Sequence, residues 1–223
     1  MSREAFLPAV VACVDIGSPK KGNVGWAVLH EATQATGREL ERFIAVLDAH
    51  VRAGRSVAVG FECPLYVPKR LDVATMTDCR LGEEGLNWCG GPGASVLATG
   101  LAQVNWVLAR LAQLATGATG TTRWQEFSSG KCQLFFWEAF ITSRAGVVVP
   151  IDAVDGVSVH EEDALCGALA FRQVVVTDDR FPSDLRDEGA LSLIGMHLLE
   201  TGLSADMSLM SECCTVLKVR KPR

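Results

Sequence analysis

Three stretches near the amino end, taken in order, restrict the fold more than anything else in this chain. Residues 9–15, "AVVACVD", are an apolar segment that finishes on a carboxylate. A turn of "IGSPKKGN" follows, and residues 24–29 form a second apolar run, so the two read as a hairpin. "GRELERFIAVLDAHVRAGR" then places Leu40, Phe43, Ile44, Leu47 and Val51 at helical spacing, with Gly54 as a C-terminal stop. The chain returns through residues 56–62 of "SVAVGFECPLYVP", a β-rich run that ends on Glu62 before Cys63-Pro64, because proline cannot continue a central ladder.

Hairpin, crossover helix and returning strand set a topology. If the strand ending at Glu62 pairs beside the strand ending at Asp15, a right-handed crossover makes the two parallel. Their carboxyl ends then share one sheet edge, which is where open α/β sheets place their sites. An ionised carboxylate is costly to bury unless something compensates it. Asp15 and Glu62 are therefore expected at an exposed strand end, or as holders of a cation.

The rest of the chain continues the alternation of strands and helices. Residues 69–93, "KRLDVATMTDCRLGEEGLNWCGGPG", are charged, rich in glycine and without a period, and read as an irregular insertion. Residues 95–115 read as a long helix, apolar enough to be covered on more than one side. "TGATGTT" breaks it, and residues 132–140, "CQLFFWEAF", have the aromatic content of a strand. In "SVHEEDALCGALAF" the pair Ser158 and Glu161 has capping-box spacing. His160, Asp163 and Gly167 share one helical face with Ala164 and Ala170, a face small enough to lie close to a sheet. "ALSLIGMHLLETG" reads as a terminal helix and "CCTVLKV" as a last strand. The expected architecture is one α/β domain over residues 1–223, with a central mixed β-sheet flanked by helices and an insertion around 69–93.

Composition narrows the function. The 223 residues carry a formal charge of −5, whereas a protein that blankets a duplex with lysine and arginine is expected to be basic. Any contact with nucleic acid must then be local, assisted by metal ions, or shared with a partner. No apolar run reaches the roughly 20 residues of a membrane span, and "MSREAFLPAVVAC" lacks the basic region and long apolar stretch of a signal peptide. A soluble, cytoplasmic protein with no membrane association is expected. The eight cysteines are scattered, and the nine-residue gap between Cys79 and Cys89 has no histidine nearby, so free thiols are expected in place of disulfides or structural zinc.

"VDIGS", "GFECPLYVP" and "HEEDALCGALA" together resemble the ribonuclease H-like superfamily, especially its Holliday-junction-resolvase-type branch. They are similar too to an uncharacterised family of predicted nucleases with this fold. The resemblance spans about residues 10–171 and rests on short motifs. It implies a ribonuclease H-like fold and metal-dependent phosphodiester hydrolysis, with Mg2+ or Mn2+ ions about 4 Å apart held by shared carboxylates. Asp15, Glu62 and Asp163 would be the metal ligands, and these three with His160 the catalytic group. His160 departs from the more usual acidic residue and would act as a ligand or as a base on the attacking water.

Ser18, Lys20 and Lys21 in the hairpin turn and Arg80 in the irregular stretch are candidates for touching a nucleic acid or nucleotide substrate. Lysines at a hairpin tip are more often simply solvated, and a charged loop containing Arg80, Glu83 and Glu84 is normally a wet one. Glu138, a carboxylate inside an aromatic strand, is a candidate to join the site. Trp26 reads as core, and His30, His50 and His197 as structural.

Two other readings stand beside the nuclease. One is a catalytically inactive ribonuclease H-like binding module, tied to a protein partner or to a second copy. The other follows from "DIGS", which resembles the first phosphate loop of sugar kinases and actin-like ATPases. Those proteins close two such domains on a nucleotide, and no second D-x-G-S/T copy is present.

Overall fold

The computed structural model describes residues 6–83, 85, 87–142, 146–149, 156–177, 181 and 183–221; Glu84 lies outside them. Strands β1 (Val10–Asp15) and β2 (Gly25–His30) pair antiparallel with Asp15 opposite Gly25. Helix α1 (Leu40–Arg52) buries Leu40, Phe43, Ile44, Leu47 and Val51, the five positions expected from the sequence. The chain leaves it through Gly54 at φ 72°, a left-handed conformation that glycine adopts without strain. Strand β4 (Val57–Glu62) then lies beside β1 and parallel to it, with Asp15 opposite Glu62.

Strand β3 (Thr33–Gly37) extends the hairpin and has no counterpart in the sequence reading. Its residues are mostly exposed or half-buried, so no apolar alternation marks it. The turn into it carries Glu31 at φ 52°, without the Asn-Gly or Asp-Gly pair that usually signals such a turn. Backbone pairing to β2 makes this strand; side-chain burial does not.

The remaining elements are β5 (Tyr66–Pro68), α2 (Gly91–Leu114), β6 (Gly120–Thr121), α3 (Trp124–Ser128), β7 (Leu134–Thr142), β8 (Val147–Val148), α4 (Val159–Thr177), β9 (Ala190–Ser192), α5 (Leu193–Glu200) and β10 (Val216–Arg220). Among the described residues one mixed sheet runs β3-β2-β1-β4-β7-β10-β8, with β6 pairing β7 at its amino end. β4, β7 and β10 are mutually parallel. β5 and β9 form a separate antiparallel pair, so the segment expected to be one terminal helix divides into β9 and α5.

Both faces of the sheet are covered, which is why β1 is apolar at successive positions instead of alternating. Val10, Ala12 and Val14 pack with residues of α1, α2 and α5, while Val11 and Cys13 pack with α4. Helix α2 is one-sided: Gly100, Gln103, Val104, Val107, Leu108 and Leu111 are buried, and Leu101 is 41% exposed. The expectation of cover on more than one side is corrected accordingly, since its leucine content overstates how much of it meets the core.

Helix α4 opens with the capping box expected from the sequence. The Ser158 amide donates to Glu161 Oε2 at 3.1 Å, and the Glu161 amide donates to Ser158 Oγ at 3.3 Å. The helix lies against the sheet at glycine contacts. A Cβ on Gly167 would fall 2.7 Å from Cys13 Sγ, and one on Gly25 would fall 2.2 Å from the His160 carbonyl carbon. Gly25→Ala should therefore lift the start of α4 and destabilise the protein by about 1–3 kcal/mol in urea unfolding. An unchanged midpoint would show that the helix start moves freely.

Candidate metal centre

Asp15 closes β1, Glu62 closes β4, and Asp163 lies in the first turns of α4. Strand pairing places the first two side by side, and the close approach of α4 brings in the third. One oxygen from each carboxylate lies within 4.8 Å of the others. The three metal ligands expected from the sequence thus converge. The Asp163 side chain is 21% exposed and turns into this group instead of to bulk solvent.

Histidine 160 sits one turn earlier on α4, and its Nδ1 lies 2.6 Å from Asp15 Oδ2. The contact is within hydrogen-bond distance and ties the imidazole to the carboxylate that closes β1. The three-carboxylate group closes without His160; its contact is to Asp15, which it orients. Behind the site, the amide of Gly17 donates to buried Gln103 Oε1, and Gln103 Nε2 donates to the Gly17 carbonyl. This two-way bond from α2 fixes the turn that leaves Asp15.

The electrostatics are those of crowded acids. Burial pushes the Glu62 carboxyl well above the usual carboxylate range, and the charges of Asp15 and Asp163 push it further. Burial raises Asp15 as well, against the opposing hydrogen bond from His160. Glu62 and Asp15 share a hydrogen bond, whereas Glu62 Oε2 is buried with no partner. A buried acceptor without a donor is expensive to keep. Its position beside two further carboxylates suits a hard divalent cation, which takes oxygen ligands. The three carboxylates could hold such an ion.

Lysine 221, just beyond β10, was not singled out from the sequence. Its Nζ donates to Asp163 Oδ1 at 2.8 Å and lies 3.1 Å from Glu162 Oε2. Burial alone would lower its pKa, but these hydrogen bonds outweigh that and hold it raised. The signal in the sequence was slight: a basic pair in "KVRKPR" resembles any solvated tail.

The substrate-contact candidates fall differently. Lys20 and Lys21 are exposed in a single 3-10 turn, Pro19–Lys21, and the Ser18 carbonyl accepts the amides of Lys21 and Asn23. Arg80 is 2% exposed. Its Nη1 and Nη2 bond Glu138 Oε2 and Oε1 at 2.8 and 2.7 Å, while Nε and Nη2 bond Glu83 Oε1 at 3.2 and 3.1 Å. The guanidinium also lies 4.9 Å from the centre of the Tyr66 ring. Engaged on both sides, Arg80 holds residues 80–83 onto β7, so this part of the loop is buried and ion-paired where the sequence suggested a wet one. Glu138 belongs to this buried ion-pair network, where it also accepts the Leu65 amide at 2.9 Å.

Of the histidines read as structural, His30 and His50 contact each other, and His197 Nε2 is buried with no hydrogen-bond partner among the described residues. His30 Nδ1 lies 2.9 Å from the Ala9 carbonyl, and the His30 and His50 rings meet edge to face at 4.8 Å. Trp26 is fully buried. All eight cysteines are free. No described helix is long and apolar enough to cross a membrane. No family model, curated protein or solved structure matches the chain.

Proposed function

We propose that the protein is a divalent-metal-dependent phosphodiester hydrolase of ribonuclease H-like type. The observation that carries this reading is the convergence of Asp15, Glu62 and Asp163, with ligand atoms within 4.8 Å of one another and one buried carboxylate oxygen lacking a donor. The hairpin after the first-strand aspartate, the parallel strand ending in Glu62 and the late acidic helix support the same reading. Bound Mg2+ or Mn2+ supplies a more acidic water and neutralises charge that builds on the phosphate oxygens. Asp15 would be the shared ligand, with Glu62 and Asp163 completing the oxygen set. His160, 2.6 Å from Asp15 Oδ2, holds that carboxylate in orientation and would serve as a ligand or as a base on the attacking water. Lys221 balances Asp163 and would give way as a cation arrives.

The test is a screen of single-stranded and duplex DNA and RNA, branched junctions and small nucleotide esters with Mg2+ or Mn2+. Metal-dependent cleavage that returns to background in Asp15→Asn is the expected result. Cleavage unaffected by Asp15→Asn, or no cleavage and no Mn2+ stabilisation, would refute the assignment. The salt link of Lys221 to Asp163 favours a second reading, a binding module whose acidic group is neutralised internally. In that case Mn2+ would leave the melting temperature unchanged.

A further inference from the structure

A cavity of about 460 Å3 opens beside the carboxylates, within the size range of small-ligand sites. Asp15 and Glu62 are among the residues that line it. The carboxyl end of β7, which continues beyond the last β4 pairing at Glu138 to Thr142, and the segment that leads into α2 line it too.

Its walls decide what can enter. Trp88, Val96 and Phe140 supply flat or apolar surface. Trp88 is held in place by its Nε1 donating to the Asp78 carbonyl at 3.1 Å, and neighbouring Asn87 donates to the Thr77 carbonyl at 2.9 Å. The charged groups are lopsided. Asp15, Glu62, Glu83 and Glu138 line the cavity, and among its described lining residues Arg80 is the one cation, already taken up by Glu83 and Glu138. Away from Asp15 and Glu62, the described lining therefore offers no free cation to a phosphate. A neutral planar group needs none, and an aromatic wall stabilises a stacked base whatever its identity.

We propose that this cavity receives the base of an unpaired nucleotide whose phosphate lies at Asp15, Glu62 and Asp163. The substrate is then a nucleotide, free or within a single strand, and an intact duplex is excluded because its bases are stacked and paired away from the cavity. The inference rests on the metal-dependent hydrolase reading for the position of the phosphate. It agrees with the formal charge of −5, since affinity comes from one enclosed base and a metal-assisted phosphate instead of a basic surface.

The test compares ligands with the same phosphate and different remainders. With Mn2+ present, calorimetry should show adenosine 5′-monophosphate binding roughly tenfold more tightly than ribose 5-phosphate, as expected for one stacked base. Trp88→Ala should erase that advantage and leave ribose 5-phosphate binding unchanged. Val96→Trp, which fills the cavity from α2 and leaves the loop bonds of Trp88 in place, should do the same. A single-stranded oligonucleotide should compete with the nucleotide more strongly than a blunt duplex of the same sequence. Equal affinity for the two small ligands, or stronger competition by the duplex, with Mn2+ stabilisation intact, overturns the base site alone. A base advantage lost in both variants but present without any Mn2+ response overturns the metal reading and keeps the cavity assignment.

Discussion

Arg80→Met should destabilise the protein by about 3–5 kcal/mol, the range expected when one partner of a buried ion pair is removed. The cause is what remains: Glu83 and Glu138, each with a side chain 1% exposed, lose the guanidinium that compensates their burial. Methionine keeps much of the apolar volume against Tyr66, so the loss reports charge more than packing. Urea unfolding of the parent and Arg80→Met measures it. Adding Glu83→Gln and Glu138→Gln to Arg80→Met should recover a large part of the loss, because neutral amides no longer need a counter-charge. A loss below about 1 kcal/mol would mean that the network is solvated, as surface pairs are. The same variant should disturb the cavity wall, since residues 80–83 are anchored to β7 through this guanidinium.

The second expected result concerns pH and metal together. In the metal-free protein the folded-state pKa of Glu62 is raised above its ordinary value of 4.5, and that of Asp15 is raised in the same direction. Below the ordinary values both folded and unfolded chains are protonated, and the penalty is absent. As pH rises the unfolded chain ionises first while the fold retains its protons, so stability falls until the folded groups also ionise. Each tenfold difference in proton affinity is worth about 1.4 kcal/mol. The melting temperature of the metal-free parent should thus decline from about pH 5 towards pH 8. Glu62→Gln should flatten the decline and raise the melting temperature at the upper end by roughly 2–4 °C for each kcal/mol of repulsion relieved. The metal response should run the other way. Mn2+ at a hundred times its dissociation constant should add about 2.7 kcal/mol to the parent at high pH and little to Glu62→Gln, because the ionised carboxylate is the ligand. A parent whose metal-free stability rises over this interval, or a Glu62→Gln variant that keeps the full Mn2+ response, would remove Glu62 from the site.

Asp15, Glu62 and Asp163 were legible in the sequence because each interrupts a pattern whose period is set locally. Asp15 and Glu62 end apolar runs joined by a hairpin and a helix, and the handedness of that connection leaves few ways to pair them. Asp163 shares a helical spacing with Gly167 and Ala164, residues small enough to require a close neighbour. α1 was readable for the same reason: five apolar residues at helical intervals coincide with the five that are buried. Propensity, period and capping residues act over a few positions, and sequence alone displays them.

Tertiary structure decided what depends on partners distant in the chain. β3 exists because β2 offers an unpaired edge, and nothing in "TQATG" announces it. Arg80 reads in the sequence as a loop cation, yet Glu138, 58 residues away, holds it. Lys221 meets Asp163 across the same separation, and Gln103 reaches Gly17 over 86 residues. A charge in a sequence carries no mark of whether it faces water or a buried counter-charge. That difference arises from desolvation, which exists once the sheet and its helices have closed around the group.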